Sequence, residues 1–304
     1  MKFDERFHIL ETKMENHNSD SLKTKTIEDW YEILEDEIPS VAEYLTTFWP
    51  QTLNVYNFIT ENLRLSHESG STKTQLFQNN QSGALIAVTK GAYRKAAVFS
   101  PNKNYLGIEL AFKDDKIMNW CDGLIVLSGI PLDLFEYLKT ATPSIGKKLI
   151  YRNEIFDCYW MSPDVAKTLN VKCPDDMYFS KLEDCHTEVV NSTWRYGSNK
   201  TKVMVSDIIN FMDTIGLFTK KDSKLVSWVL QTNYGIGMLY TVDVHRSKGY
   251  GTLVLRKLAN ILGQAGKTPI LVTLQDNLAA KSVFLKSGFE FIEPLRYVGM
   301  EQDI

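Results

Sequence analysis

Long hydrophobic runs, paired cysteines and an excess of basic charge are all missing from this sequence, and each absence excludes a class of protein. No apolar run approaches the ~18 residues of a membrane-spanning helix, so no membrane partner is expected. The four cysteines form no C-x-x-C pair and none lies at metal-ligand spacing from a histidine. We therefore expect reduced thiols and no metal site. With 34 basic against 37 acidic residues, a nucleic-acid partner is disfavoured.

The N-terminal segment resembles none of the common targeting signals. Its first ~25 residues are polar and are expected to be loose, and they lack the apolar core of a signal peptide. Asp4 and Glu5 are residues that a mitochondrial transit peptide avoids, so a cytoplasmic protein is expected. A length of 304 residues suits about two domains. The proline-containing stretch 140–175 predicts a connection, which divides the chain into domains 1–174 and 175–304.

Local patterns predict mixed α and β structure in both domains. In the first, helical spacing over 27–34 and 41–49 predicts two helices, and alternation over 53–59 predicts a strand. In the second, strands and helices alternate, with helices predicted at 249–262 and 277–287. The predicted fold class is α+β.

The segment Tyr240–Gly251, with the sequence YTVDVHRSKGYG, is the most informative part of the chain. A predicted strand ends there and leads directly into a helix. Gly249 and Gly251 let a ligand approach the backbone closely, and the first amides of a helix are unpaired and carry partial positive charge. This arrangement predicts a pyrophosphate site built mainly of backbone, to which Arg246 and Lys248 can add charge. A plain strand-to-helix turn with two glycines is the alternative.

Other phosphate-binding motifs do not fit the sequence. No run matches the Gly-x-x-x-x-Gly-Lys-Ser/Thr pattern of a P-loop. Gly235-Ile236-Gly237 begins like a dinucleotide-binding fingerprint, but Tyr240 stands at its third glycine position and the run lies inside a predicted strand. From residue 200 onward basic residues outnumber acidic ones by 13 to 9, so an anionic ligand is better placed there than in the acidic first part.

Two motifs at the expected distance from each other resemble those of the GNAT superfamily of N-acyltransferases. Arg246-x-x-Gly249-x-Gly251 is similar to its motif A, and Asn277–Phe289 is similar to its Asn-x-x-Ala…Leu-Tyr-x-x-x-Gly-Phe helix. The resemblance covers Met177–Met300. It implies a GNAT fold for the C-terminal domain, that is, a mixed and splayed sheet flanked by helices.

Two further stretches resemble glycine N-acyltransferase-like members of this superfamily. Leu225–Leu230 is similar to their Val-Ser-Trp strand, and Leu45–Tyr56 is similar, more loosely, to their Leu-Pro-x-Ser-x-x-Val-Tyr stretch. The second resemblance implies that residues 1–174 form a degenerate GNAT-like α/β domain.

The resemblance also implies a binding site for acetyl-CoA or another acyl-CoA in the C-terminal domain. Backbone groups of Val242 and Val244 would face the pantetheine arm, as a strand edge faces another strand. Asn277 and Phe284 would line the thiol end. The pyrophosphate would be held by the amides of the turn and the first helical residues, Ser247, Lys248, Gly249, Tyr250, Gly251 and Thr252.

The catalytic groups of the family are less well matched. Phe284 stands where the family often has a tyrosine that protonates the leaving thiolate, and residues 235–240 contain no carboxylate that could act as the base. The nearby titratable candidates are Asp243, His245 and Tyr240. Each has a structural alternative. Asp243 can be a cap or turn residue, His245 a solvated turn residue, and Tyr240 a core residue.

The predicted function is transfer of an acetyl or acyl group from coenzyme A to a primary amine, which we expect to be a small molecule or an amino acid. Arg152 and Arg195 are candidates for binding an acceptor carboxylate, with an ordinary surface position as the alternative. Two other functions stay open: a catalytically weak acyl-CoA-binding protein, and a protein N-acetyltransferase. The sequence predicts no oligomeric state.

Overall fold

A computed structural model describes residues 29–69, 73–90 and 94–303 of the chain. The predictions of a loose N-terminal segment and of a helix beginning at residue 27 therefore lie partly or wholly outside the described residues. Within the described residues, no helix is both long and apolar enough to cross a membrane. No group of His, Cys, Asp or Glu side chains there is placed to hold a metal ion, and the four cysteines are free.

The described residues form 13 strands in one continuous sheet. The strands are β1 (Trp30–Ile33), β2 (Thr74–Asn79), β3 (Leu85–Thr89), β4 (Lys95–Phe99), β5 (Ile125–Pro131), β6 (Lys147–Ile150), β7 (Phe156–Trp160), β8 (Met177–Ser180), β9 (Thr214–Thr219), β10 (Leu225–Thr232), β11 (Gly235–Thr241), β12 (Ile270–Leu274) and β13 (Glu290–Gln302).

Ten α-helices of the described residues flank this sheet. They are α1 (Ile38–Thr46), α2 (Leu53–Ser69), α3 (Leu106–Lys113), α4 (Asp115–Met118), α5 (Leu132–Ala141), α6 (Pro163–Lys167), α7 (Thr187–Thr193), α8 (Lys202–Phe211), α9 (Tyr250–Gln264) and α10 (Leu278–Ser287).

The strand order shows two similar halves that exchange a strand. The order is β1-β2-β3-β4-β5-β13-β7-β12-β11-β10-β9-β8, with β6 pairing on β13. Each half contributes five consecutive strands, and its sixth strand comes from the other half: β13 pairs antiparallel with β5, and β7 pairs antiparallel with β12. Because β13 and β7 also pair with each other, hydrogen bonds run without a break between the halves. The boundary at Pro174 stays a prediction.

The C-terminal half buries both faces of its sheet. On one face, α9 contributes Val254, Leu255 and Leu258, all fully buried, to a cluster that includes Phe284 of α10. On the other face, Val205 and Ile208 of α8 pack in a cluster with Trp228 of β10. The sheet is therefore covered by helices on both sides, as its apolar strands require.

An ionic contact joins α2 of the N-terminal half to the segment before β12. The Lys267 Nζ lies 3.1 Å from a carboxylate oxygen of Glu61, whose other oxygen lies 3.0 Å from Arg64 Nε. Glu61 is buried, so this contact compensates a charge that would otherwise be costly to bury. It lines a cavity of about 340 Å³ between the halves.

Three predictions in the first half of the chain are wrong, and tertiary context explains each one. Trp30–Ile33 is a strand, because it pairs in register with β2. Leu53–Ile59 begins the helix α2, with Leu53, Phe58 and Ile59 buried; its run of apolar residues fits a buried helix face as well as a strand. The stretch 140–175 is not a connection, because it contains β6, β7 and α6.

The predictions after residue 200 agree closely with the structure. The helix predicted at 249–262 is observed as α9, Tyr250–Gln264. The helix α10 begins after Asn277, whose side chain accepts a hydrogen bond from the Ala280 amide, and ends at Gly288 in the left-handed conformation. These elements carry strong local signals, a cap residue at one end and a C-cap glycine at the other.

Candidate functional site

The neighbouring parallel strands β11 and β12 separate towards their carboxyl ends. A single pair, Ile236 with Leu271, is in register between them within the described residues. On its other side β11 pairs with β10 through a bulge, in which the left-handed Met238 is the extra residue. A bulge bends its strand and increases its twist. The bend therefore accounts for an opening between β11 and β12, which we call the splay.

A turn with unusual backbone geometry stands at the mouth of the splay. Ser247 and Gly249 have φ values of 61° and 80°, and Gly249 is the N-cap of α9 without any side-chain cap. The first amides of a helix have no partner within the helix. Together with the left-handed turn they form a concave array of N–H groups that suits an anion.

Glycine is required at the two positions of the turn for different structural reasons. A Cβ on Gly249 would meet no atom within 4 Å, so its positive φ is the constraint. A Cβ on Gly251 would lie 3.3 Å from the Thr241 Oγ1, so there the constraint is the close packing of α9 on β11. The structure supplies these two separate causes, and the close approach of a ligand to both glycines stays a prediction.

The charged and aromatic candidates near the turn are bonded to one another. Arg246 lies 2.8 Å from Asp243 and donates through Nε to the Thr241 carbonyl at 3.2 Å. The Tyr240 hydroxyl donates to Asp243 at 3.1 Å, and its ring stacks on Trp228 with centroids 5.0 Å apart. Arg246 and Asp243 are exposed. This network fixes the end of β11. The contacts fit the structural alternatives given above, a turn residue for Asp243 and a packed residue for Tyr240.

His245 and the two valines differ in how much of each is available to a ligand. The Val242 amide donates to the Val226 carbonyl, and its own carbonyl accepts from the His245 amide. Its backbone therefore faces β10 and not the splay, contrary to the prediction. The side chain of Val244 is 77% exposed. His245 is half-buried, and its Nδ1 is buried without a hydrogen-bond partner.

The remaining residues of the predicted cradle border the turn. Ser247 and Lys248 are exposed, whereas Tyr250 and Thr252 are half-buried at the start of α9. Asn277 is exposed and caps α10. The structure therefore brings the turn and the start of α9 together, and Asn277 lies at the end of the neighbouring β12.

Phe284 lies in the core, against a residue from the other half of the chain. It is 5% exposed, and its ring packs edge-to-face on Tyr159 of β7 with centroids 5.6 Å apart. Asp157, also on β7, makes a buried ion pair with Lys281 of α10 at 2.5 Å. Sequence analysis missed this contribution because β7 lies inside the stretch that was predicted to be a connection.

A cavity of about 280 Å³ lies at the carboxyl end of β12. Its walls are residues 153–155 before β7, residues 274–276 at the end of β12, and Arg195. Arg195 lies 2.9 Å from Glu154, and the Tyr196 hydroxyl donates to the same carboxylate at 3.3 Å. Burial raises the pKa of Tyr196, and the charge of Glu154 raises it further. Glu154 was not predicted, and no motif marks it.

The comparisons with known proteins agree with this architecture. Residues 214–298 match the family described as FR47-like protein. A crystal structure of a Drosophila protein superposes with a TM-score of 0.74 at 14% identity, covering 91% of this chain and 99% of that one. A tandem GNAT protein from the clavulanic acid biosynthesis pathway superposes at 0.52 and 13% identity, over 90% and 98% of the two chains. The chain has a tandem GNAT fold.

A third structure that superposes on this chain is part of a larger enzyme. It contains the GCN5-related glucosamine N-acetyltransferase region of a fungal multi-domain β-N-acetylglucosaminidase, with a TM-score of 0.51, 11% identity and coverage of 92% of this chain. This chain spans only 39% of that protein. No curated protein matches the sequence significantly. Identities this low show the shared fold alone.

The predicted fold class, two GNAT-like units with a mixed sheet, is confirmed. Both motifs lie within the matched region 214–298, which supports the GNAT superfamily. The glycine N-acyltransferase-like subtype stays a prediction, as do the roles of the site residues other than Val242.

Proposed function

We propose that this protein is an acyl-CoA-dependent N-acyltransferase whose acceptor is the primary amine of a small molecule. The observation that carries the proposal is the array of open amides at the start of α9, placed at the mouth of the splay. Neither feature is needed for a stable sheet, because a straight β11 would pair with β12 along its length and a side chain would cap α9.

The residues present fit the coenzyme. The turn 247–249 and the first residues of α9 would hold the pyrophosphate through backbone amides, and Gly251 lets α9 begin in close contact with β11. Lys248 is exposed beside them. When bound, an acyl-CoA supplies an activated acyl group as its thioester.

The free edge of β11 would position the pantetheine arm. Because neighbouring residues of a strand point their backbone groups to opposite sides, Leu239 and Thr241 face the splay while Val242 faces β10. The Thr241 carbonyl accepts from Arg246. The N–H groups on this edge would orient the acyl carbonyl and polarise it.

A catalytically weak acyl-CoA-binding protein is the second candidate. It is favoured by the position of Phe284, which is buried against Tyr159 and has no proton to donate. The strand β11 also contains no carboxylate. An assay of acceptors decides whether the acyl group is transferred to a small amine or to a protein.

Titration of acetyl-CoA by calorimetry, followed by an assay of free thiol release with a panel of small amines, tests the proposal. We expect saturable binding and amine-dependent thiol release. Binding without release for any amine would favour the second candidate, and acetylation of peptides seen by intact mass would favour a protein substrate. The absence of binding at millimolar acetyl-CoA would overturn the proposal.

A further inference from the structure

We propose that Glu154, contributed by the N-terminal half, binds the ammonium group of the acceptor amine, and that the Arg195 guanidinium holds that place until an amine displaces it. The inference rests on the proposed function. It concerns the cavity of about 280 Å³ at the end of β12, beside the strand that forms one wall of the splay. The amine-binding carboxylate would thus come from outside the region that carries the coenzyme motifs.

The backbone that carries Glu154 is held in a fixed position. The segment before β7 is anchored by the buried Arg296, which donates to the carbonyls of Arg152 and Glu154 at 3.3 and 3.5 Å. Its other Nη donates to the Asn153 side chain at 3.2 Å. On the other side, the Gln275 amide donates to the Ile155 carbonyl at 2.9 Å. Glu154 is therefore placed by main-chain contacts that do not involve its side chain.

The partner of this carboxylate is loosely held. The side chain of Arg195 is 60% exposed, whereas that of Glu154 is 21% exposed. An ion pair with one exposed member contributes little to stability, so another cation can replace Arg195 at low cost. An ammonium group offers three N–H donors to the same oxygens.

The charges of the cavity favour a cation. Two carboxylates, Glu154 and Asp276, and one guanidinium, Arg195, line it. When Arg195 moves out, the wall keeps two negative charges and the Tyr196 hydroxyl as a donor to Glu154. An acceptor that carries a positive amine is attracted to such a site, and an anion is repelled.

Direct binding of small probes tests the site without turnover. Saturation-transfer NMR with propylamine and with propionate would be recorded on the full chain in the presence of coenzyme A. We expect signal from propylamine in the native protein, its loss in Glu154→Gln, and its retention in Glu188→Gln. Glu188 is a suitable control because its carboxylate is also ion-paired, with Lys202 at 2.7 Å, and lies outside the cavity.

Kinetics with an amine that is turned over adds a second readout. Glu154→Gln should raise the KM for the amine about tenfold or more, as expected for loss of a charged hydrogen bond, and leave the KM for acetyl-CoA within about twofold. Arg195→Met should not raise the amine KM. Glu154→Asp should restore part of the binding, and unfolding midpoints of all variants would identify a folding defect.

Three results would overturn the inference: no propylamine signal, propylamine binding that survives Glu154→Gln, or propionate binding that Arg195→Met abolishes. Failure of the proposed function is distinguishable from these. If acetyl-CoA does not bind but propylamine binding depends on Glu154, the cation site is supported and the transfer is not.

Discussion

The two halves of the molecule share a strand arrangement. They differ at the start of the helix that follows the first strand of the parallel pair. Each half has one parallel pair, β4 with β5 and β11 with β12, and each first strand of the pair leads into a helix. In both helices the second residue is glycine, Gly107 in α3 and Gly251 in α9. A Cβ at either would lie 3.3 Å from a hydroxyl oxygen, of Ser82 or of Thr241.

The halves diverge at the helix cap. Tyr105 caps α3 with a φ of −86°, whereas Gly249 caps α9 with a φ of 80°. In the N-terminal half an ion pair of 2.8 Å, Lys103 with Asp133, joins the turn before α3 to the start of α5. In the C-terminal half Arg246 pairs within its own turn, with Asp243.

The comparison shows that the second helical glycine belongs to the fold and the cap glycine to the site. A helix that begins in close contact with a neighbouring strand or turn requires a small residue in either half. An open array of amides needs in addition a left-handed cap, and no ion pair may join the turn before the helix to the neighbouring element. The N-terminal half meets the first requirement only.

Separating the halves should have the largest effect on folding and on coenzyme A binding. A fragment of residues 175–304 lacks β7, which lies between β12 and β13, and leaves Phe284 without Tyr159. We expect no cooperative unfolding transition by circular dichroism and no stabilisation by coenzyme A. Co-expression with residues 1–174 should restore both. A fragment that folds and binds coenzyme A by itself would show that the strand exchange is dispensable.

Substitution of the site glycines should have the next largest effect. Gly249→Val would force a β-branched residue into the left-handed region, at a cost of at least ~1–2 kcal/mol. Gly251→Val would press a β-branched side chain against β11, where a Cβ alone already lies 3.3 Å from the Thr241 Oγ1, and so would push the first amides of α9 out of place. We expect coenzyme A affinity, measured by calorimetry, to fall about a hundredfold in each, since several charged hydrogen bonds are lost.

Two control variants separate the site from the fold. Gly107→Val places the same side chain at the matching position of α3 and should leave coenzyme A affinity unchanged while lowering stability. Lys248→Ala should weaken binding only a few-fold, because an exposed charge is screened by salt. If Lys248→Ala were the most damaging change, side-chain charge and not backbone would hold the ligand.

A titratable group on the exchanged strand β13 should make the stability of the protein depend on pH. Burial raises the pKa of Glu293 from 4.5 to about 7, and the nearby charge of Asp133 adds to the shift. Because the folded state holds this proton more tightly, stability is lost as pH rises from 4.5 to about 7. Relative to Glu293→Gln, we expect native stability to fall on the order of 2 kcal/mol over that range.

Urea unfolding of both proteins at several pH values measures the difference. Parallel curves for the native protein and Glu293→Gln would show that Glu293 is solvated in the folded state.

Removing the ion pair between Lys103 and Asp133 should have the smallest effect on the unfolding free energy. The Lys103 side chain is 77% exposed, so Lys103→Ala should change the unfolding free energy by less than about 1 kcal/mol. It should create no coenzyme A site, because the cap residue is still Tyr105. If calorimetry detected a second coenzyme A molecule bound to this variant, the ion pair alone would be what prevents binding at the start of α3.

Local signals in the sequence determined the GNAT-like elements after residue 200. The cap at Asn277, the stop at Gly288 and the Gly249-x-Gly251 turn each depend on backbone geometry that a few neighbouring residues impose. The position of the turn proposed to bind the coenzyme was therefore predictable, although the distinct causes for its two glycines were not.

Tertiary structure alone decided the exchange of β7 and β13, the helix at Leu53, and the placement of Glu154 in a cavity beside β12. These depend on pairing between residues more than a hundred positions apart, such as Cys158 with Val272. Short, mainly apolar segments such as Phe156–Trp160 suit a strand, a helix or a buried connection equally well. Only the hydrogen-bonding partner selects among them, and that partner is not encoded in the run itself.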